Sequence, residues 1–163
     1  MNKRIGFYAG SFDPFTIGHL MIVKKALELF DILIIGIAYN PNKQRRFKVE
    51  VMKKAIEETL AKEGLLSRCQ LISYDFPKLT YRVAQEAGAT HMVRGLRNNT
   101  DYEYEEGLAR ANKTIGHFET IYFRSDTDID HISSSIVMEL FLGGDDISKF
   151  VPGPVLRAIT ENS

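Results

Sequence analysis

The sequence predicts an α/β fold: a single domain, residues 1–163, built on a doubly wound sheet of five parallel strands. Two observations predict this architecture. Five short apolar segments alternate along the chain with longer segments whose apolar residues recur at helical spacing. Residues 32–38 are a nearly continuous run of β-branched and apolar residues, which is typical of a strand covered on both faces. Strands and helices that alternate in this way form Rossmann-like sheets with right-handed crossovers.

Each element has its own signal. The first strand is apolar and ends at Gly10, and the next helix has apolar residues three and four apart. Gly64, Gly88 and Gly143 end three later helices. The predicted strands are 4–9, 32–38, 69–74, 91–93 and 120–123, and the predicted helices are 16–30, 49–62, 79–87, 100–114, 132–142 and 152–160. Because such sheets bind ligands beyond the carboxyl ends of their strands, we expect the site in the loops that follow the strands.

The composition is that of a globular protein and excludes several classes. Hydrophobic residues make up 44% and charged residues 26% of the chain, which excludes a disordered or collagen-like protein. The 21 Lys and Arg residues balance the 21 Asp and Glu residues, so we expect neither nucleic acid nor a membrane as the main partner. A lone cysteine, Cys69, excludes an internal disulfide and a CxxC motif. Short apolar runs and no room for a signal peptide predict a cytoplasmic location.

The loop after the first strand, GSFDPFTIGH at residues 10–19, has the physical properties of a phosphate site. It matches neither of the two commonest phosphate loops. Gly10 permits a tight turn, Ser11 supplies a hydroxyl, and Gly18 lets a ligand approach the free N–H groups of the next helix. His19 would add a charge-assisted donor. For the Gly-x-His triplet alone, the alternative is a turn, a helix cap and an incidental surface histidine.

Cationic residues follow the second and fourth strands. Residues 43–46 include Lys43 and two arginines, any of which would suit an anionic substrate. Arg94 and Arg97 flank a glycine after the fourth strand, a spacing suited to clamping a phosphate. The alternatives are a solvated surface for the first group and surface arginines bridged to acidic neighbours for the second. The residues alone leave both alternatives open.

The segment after the fifth strand combines acidic residues with serines. Asp126, Asp128 and Asp130 lack the glycine and the distal glutamate of a calcium loop, so a solvated loop is the preferred interpretation. Serines 133–135 precede an apolar helical run, where serines act as caps. The same residues also offer N–H and O–H donors to a triphosphate.

Four strings in a fixed order resemble one family, the phosphopantetheine adenylyltransferases. They are GSFDPFTIGH, PNK with Lys43, RGLRNNTDYEYE, and ISSS at the start of a helix. The first is similar to the T/SFDPxTxGH signature of the nucleotidylyltransferase superfamily, in which the GH pair touches the nucleotide phosphates. The resemblance extends over residues 4–156, and the RGLR string is its most diagnostic part.

The resemblance implies an enzyme that transfers the adenylyl group of ATP to 4′-phosphopantetheine, giving dephospho-coenzyme A and pyrophosphate. It implies catalytic roles for His19, Lys43 and Arg94. Phosphopantetheine would contact Ser11, Lys43, Thr80 and Arg94. ATP would contact residues of the first motif, the RGLR string and the serine segment: Ser11, Phe12, His19, Gly95, Leu96, Arg97, Glu105, Ile129, Asp130, His131, Ile132, Ser133, Ser134 and Ser135. The family is typically hexameric and uses Mg²⁺ delivered with ATP, so we expect a homo-oligomer in which the protein itself holds no metal.

The chemistry of such a reaction fits the candidate residues. A phosphate monoester is already a nucleophile, so its direct in-line attack on the α-phosphorus of ATP needs no general base and no covalent intermediate. Catalysis then consists of positioning the two reactants and neutralising the charge on the phosphoryl oxygens. Cations, hydroxyls and N–H groups perform both tasks without a pair of carboxylates.

The chain departs from the family pattern at four places. Met138 replaces a basic residue after the serines, Ile129 and Asp130 stand where an aromatic residue is frequent, residues 98–100 replace an alanine-rich stretch, and a short insertion lies near residues 76–78. These departures leave the base and acceptor preference open. One alternative is a nucleotidylyltransferase with another nucleotide or phosphorylated acceptor. The other is a non-catalytic nucleotide-binding homologue.

Overall fold

The computed structural model describes residues 3–75, 77–97, 99–126 and 128–163, and for residues 99–102, 104 and 105 the backbone alone. The strands are β1 (Ile5–Gly10), β2 (Ile32–Tyr39), β3 (Cys69–Asp75), β4 (His91–Leu96) and β5 (Glu119–Arg124). The helices are α1 (Ile17–Leu29), α2 (Val49–Lys62), α3 (Thr80–Glu86), α4 (Asn99–Gly116), α5 (Ser134–Leu142) and α6 (Gly153–Glu161). A short 3₁₀ turn, Leu66–Arg68, precedes β3 and was not predicted.

The five strands form one parallel sheet in the order β3-β2-β1-β4-β5. The predicted fold class is therefore confirmed. The chain builds outward from β1 in one direction through β2 and β3, and then in the other direction through β4 and β5. The strand order thus reverses between β1 and β4, and a crevice opens at their carboxyl ends.

Hydrophobic side chains pack against both faces of the sheet. Along β2, Leu33 and Ile35 belong to the core under α1, α2, α5 and α6, whereas Ile34 belongs to the core under α3. Two-sided burial explains the continuous apolar run of this strand. Gly36 is required there, because a Cβ atom would lie 2.6 Å from the Phe7 ring. None of the helices in the described segments is both long and apolar enough to cross a lipid bilayer.

Two predicted boundaries near the carboxyl edge were wrong. The prediction ended β4 at Val93, but its ladder with β5 continues through Leu96, so Arg94 and Gly95 lie within the strand. An arginine and a glycine interrupt the apolar pattern, so the extension of β4 could not be predicted from the sequence. The prediction began α5 at residue 132, but the helix begins after Ser133, which has extended backbone angles and accepts the Ile136 N–H at 3.2 Å.

Candidate active site

A cleft of about 310 Å³ lies at the carboxyl edge of the sheet, where β1 and β4 end. It brings together ten of the predicted site residues: Ser11, Phe12, His19, Arg94, Gly95, Arg97, Ile132, Ser133, Ser134 and Ser135. None of the described residues that line this cleft is acidic. Two guanidinium groups, several hydroxyls and one imidazole therefore face the same space. Such a donor set suits a polyanion.

Two further cavities adjoin this cleft. One, of about 670 Å³, is lined by Lys43, Arg45, Lys78 and Thr80 and shares Ser11 with the first cleft. The other, of about 230 Å³, shares Arg94 with the first cleft, and apolar side chains such as Leu79, Met92 and Leu108 make up more than half of its lining residues. We call the three the central cleft, the lysine cavity and the apolar cavity. Lys43 thus lies beside the central cleft rather than in it.

His19 is held at the start of α1 by a reciprocal helix cap. The Thr16 backbone N–H donates to His19 Nδ1 at 3.0 Å, and the Thr16 hydroxyl accepts the His19 backbone N–H at 3.4 Å. The ring packs against Phe12 and Phe15, with centroids 5.0 and 5.5 Å away. Because Nδ1 is an acceptor here, the ring proton lies on Nε2, which remains available as a donor.

The protonation state of His19 differs from the sequence expectation. Burial, and secondarily the positive charge of Arg97, lower the pKa of His19 from 6.5 to about 4. The imidazole is therefore neutral near pH 7, and His19 is a neutral N–H donor instead of a charge-assisted one. The sequence could not reveal this, because it does not show how deeply the ring is buried.

The lowered pKa of His19 predicts a pH dependence of stability. Between pH 6.5 and pH 4 the unfolded chain binds a proton at this residue that the folded chain excludes. The contribution of the neutral His19 to the free energy of unfolding is therefore fully present above pH 6.5. It falls by up to about 3 kcal/mol as the pH drops to 4. Urea unfolding at both pH values, compared with His19→Gln, measures this difference. An equal pH dependence in both proteins would contradict the assignment.

Asp13 joins the loop after β1 to the loop after β2. Its carboxylate is buried and accepts the backbone N–H groups of Arg46 and Phe47 at 2.8 and 3.0 Å. The Arg45 guanidinium lies 3.7 Å from the same carboxylate and donates to the Ser11 carbonyl at 2.9 Å. These bonds fix the position of Ser11 beside the lysine cavity. This role of Asp13 was not predicted from the sequence, although an aspartate before a proline in a site loop was a signal for it.

The serines of α5 are tied to the loop after β1. Ser134 donates its hydroxyl to the Pro14 carbonyl at 2.7 Å, and Ser133 is the N-cap of the helix. Both line the central cleft together with Ser135. The helix cap expected from the sequence is present, and the first turn of α5 also borders the cleft, where its N–H groups and dipole favour an anion.

Arg94 lies where the central cleft meets the apolar cavity. Its Nη1 donates to the Ala9 carbonyl at 2.9 Å, which fixes the guanidinium beside the end of β1. Tyr74 and Thr80 share a hydrogen bond of 3.0 Å between their hydroxyls. Burial raises the pKa of Tyr74, and the Thr80 hydrogen bond and the charge of Arg94 oppose this shift. Arg94 and Thr80 therefore belong to one connected region.

Several predicted ATP contacts lie outside the lining of the central cleft: Leu96, Ile129, Asp130 and His131. Ile129 packs against the larger core, and His131 lies 3.9 Å from the Asp130 carboxylate. The side chain of Glu105 lies outside the described residues. Tyr8, Ile22 and Ser125 also line the cleft, although the sequence did not mark them as site residues. Ile22 also explains Gly95, because a Cβ atom there would lie 3.0 Å from the isoleucine Cγ1.

The fold and the cleft define a protein of the nucleotidylyltransferase class. Residues 7–140 match the family model described as Cytidylyltransferase-like. A solved structure with a similar fold is the Plasmodium falciparum nicotinic acid mononucleotide adenylyltransferase complexed with NaAD. It has a TM-score of 0.76 and 17% identity, and the match covers 98% of this chain and 96% of that one.

Relatives with higher sequence identity identify the family. A phosphopantetheine adenylyltransferase of Streptococcus pneumoniae is 42% identical over 161 residues, which cover 98% of this chain and 96% of the relative. One of Lachnoclostridium phytofermentans is 37% identical, with 96% and 93% covered, and one of Methylocella silvestris is 36% identical, with 99% and 97% covered. The chain belongs to the phosphopantetheine adenylyltransferase family, as its four strings predicted.

Proposed function

We propose that the protein transfers the adenylyl group of ATP to 4′-phosphopantetheine, giving dephospho-coenzyme A and pyrophosphate. The observation that carries this proposal is that the three cavities share lining residues. Ser11 joins the central cleft to the lysine cavity, and Arg94 joins it to the apolar cavity. Two phosphorylated substrates can therefore bind side by side and react directly.

The reaction needs one displacement at phosphorus. An oxygen of the acceptor phosphate forms a bond to the α-phosphorus of ATP. At the same time the bond between the α-phosphorus and the oxygen that bridges the α- and β-phosphates breaks, and pyrophosphate leaves with that oxygen. Negative charge increases on the oxygens of the transferred group, where the Nε2–H of His19 donates a hydrogen bond. Arg94 and Lys43 hold the acceptor phosphate, and Arg97 and the serines of α5 hold the rest of the triphosphate. These groups act by position and charge.

The apolar cavity suits the uncharged arm of the acceptor. Leu79, Met92 and Leu108 line it beside Asn112. The Thr120 hydroxyl, which also lines it, is buried without a hydrogen-bond partner among the described residues. Buried polar atoms normally have a partner, so a substrate amide in this cavity would satisfy the hydroxyl. Aliphatic carbons separated by amide groups match this lining.

Mg²⁺ is proposed to bind with the nucleotide. The described residues contain no group of three or more His, Cys, Asp and Glu side chains suited to hold a metal ion. The donor set of the central cleft instead fits phosphate oxygens, which are themselves preferred Mg²⁺ ligands. When bound to the triphosphate, the ion supplies charge neutralisation that adds to that of the arginines.

The direct test of this function is pyrophosphate release. We expect release with ATP and 4′-phosphopantetheine together, and none with either alone or with CTP in place of ATP. Release with CTP at an equal rate would overturn the proposed base preference. ATP-dependent thermal stabilisation without any release would favour a non-catalytic nucleotide-binding protein.

Lys43→Ala is expected to weaken phosphopantetheine binding selectively. The Lys43 ammonium is exposed in the lysine cavity, and no carboxylate of the described residues forms an ion pair with it. Removing one charged phosphate contact raises the KM for phosphopantetheine about tenfold and leaves the KM for ATP unchanged. Lys62→Ala is the matched control, because α2 ends there, opposite the carboxyl edge. A change in ATP affinity alone would reverse the assignment of the two phosphate pockets.

A hexameric assembly stays a prediction from the family resemblance, and a cytoplasmic location stays a prediction from the short apolar runs and the N-terminal sequence. Several large apolar side chains are exposed in the single chain, including Leu142 at 78% and Ile115 at 61%. An assembly that covered these side chains would remove their apolar surface from water. Light scattering of the purified protein measures the mass of the assembly.

A further inference from the structure

Two adjacent arginines in the loop after β2 have opposite environments. The Arg45 side chain is 15% exposed, and its guanidinium is occupied by the Ser11 and Phe47 carbonyls and faces the Asp13 carboxylate. Arg46 is exposed. Arg45 therefore supports the loop, whereas the Arg46 guanidinium remains accessible to a ligand.

Arg46 spans the gap between the loop after β1 and the start of α5. Its Nη1 donates to the Asp13 carbonyl at 3.0 Å, and its Nη2 lies 3.5 Å from the Ser135 hydroxyl. Its main-chain N–H is held by the Asp13 carboxylate, so the whole residue is anchored to the site loop. The guanidinium is thereby fixed in position beside a serine that lines the central cleft.

The Arg46 guanidinium has no ion-pair partner among the residues that the structure describes. Its two side-chain contacts are to neutral oxygens. A guanidinium has five N–H donors. Because the Arg46 guanidinium makes only two contacts with neutral oxygens, it retains donors that can bind an anion. Arg46 can therefore donate further hydrogen bonds to an anion such as a phosphate.

The position of Arg46 indicates which phosphate it meets. The α-phosphate must lie beside the acceptor phosphate, where Ser11 joins the central cleft to the lysine cavity. The serines of α5 line the central cleft but not the lysine cavity. Phosphates that lie along α5 are therefore those farther from the acceptor, which belong to the pyrophosphate leaving group.

We propose that Arg46 binds the β- or γ-phosphate of the nucleotide and so selects a triphosphate over a monophosphate. This inference rests on the proposed function of the cleft and adds a residue to it. The positive charge of Arg46 stabilises the negative charge that the pyrophosphate gains as its bond to the α-phosphorus breaks.

Equilibrium binding of ATP, AMP and pyrophosphate to the wild type and to Arg46→Ala tests this proposal. We expect the affinity for ATP and pyrophosphate to fall about tenfold, with AMP affinity unchanged. Arg46→Lys keeps the charge but loses the fork, so its affinity for ATP should be intermediate. Arg4→Ala is the control, because it removes a guanidinium at the opposite edge of the sheet, beside Asp31.

Other outcomes overturn the proposal. Unchanged ATP affinity would show that Arg46 does not touch the triphosphate. An equal loss for ATP and AMP would show that it only supports the loop, and a raised KM for phosphopantetheine alone would place it on the acceptor. Pyrophosphate release by the wild type is measured in the same preparation. If the wild type binds ATP but releases none, the proposed function fails while the affinities still decide the role of Arg46.

Discussion

His19→Ala is expected to lower kcat by at least about a hundredfold while the fold stays intact, because it removes the Nε2–H donor to the charge-bearing oxygens. One well-placed donor of this kind contributes about 3–4 kcal/mol to the transition state. The side chain also accepts the Thr16 N–H in the helix cap, so a stability loss of about 1 kcal/mol should accompany the loss of activity. Pyrophosphate release and urea unfolding separate the two effects.

His19→Gln distinguishes a neutral donor from a cation. The glutamine amide nitrogen can occupy the place of Nε2 without carrying a charge, so this variant should recover a measurable part of the activity that alanine loses. This expectation follows from the pKa of His19, which is about 4 in the protein without substrate, so that the ring is neutral at pH 7. A glutamine variant as slow as the alanine variant, with wild-type activity that rises as the pH falls below 6, would show that an imidazolium is the active form.

Asp13→Ala is expected to damage both stability and activity. The substitution leaves two backbone N–H groups and the Arg45 guanidinium without their carboxylate, in a position where Asp13 is 8% exposed. Loss of these bonds costs about 2–4 kcal/mol of unfolding free energy, and the melting temperature should fall by roughly 5 °C or more. Because the same bonds fix the position of Ser11 beside the lysine cavity, kcat/KM for phosphopantetheine should fall at least about tenfold.

Asp13→Asn is the matched comparison for this position. Asparagine retains one carbonyl acceptor but places an amide NH₂ against the second backbone N–H, so its stability should lie between wild type and alanine. Differential scanning calorimetry at pH 7 measures the three proteins. If alanine and wild type melt together, the carboxylate does not join the two loops, and the coupling inferred from its hydrogen bonds is wrong.

Much of the fold was predictable because it depends on local patterns. The spacing of apolar residues gave α2 with the observed bounds, Val49–Lys62, and the apolar run of β2 indicated burial on both faces. Alternation of strands and helices then left a parallel sheet as the natural arrangement. Parallel strands bring their carboxyl ends to one edge, so Ser11 and His19, which follow β1, could be expected to face one cleft with Arg94, which lies far along the chain in β4.

The parts that the sequence did not predict depend on burial and on long-range contacts. The extension of β4 to Leu96 comes from pairing with β5, which no local pattern reports. The neutral state of His19 depends on how deeply its ring is buried, and the link from Asp13 to Arg46 joins residues of two separate loops. Each of these features depends on how close separate segments of the chain lie to one another, and that distance is fixed only when the sheet has formed.

The most direct test of the central claim is an initial-rate study in which ATP and 4′-phosphopantetheine concentrations are varied together. Binding of both substrates in connected cavities, followed by a single displacement, predicts double-reciprocal plots whose lines intersect, because both substrates must be present before pyrophosphate leaves. Parallel lines, with pyrophosphate released from ATP before the acceptor binds, would show a covalent adenylyl intermediate and would contradict direct transfer in a shared cleft.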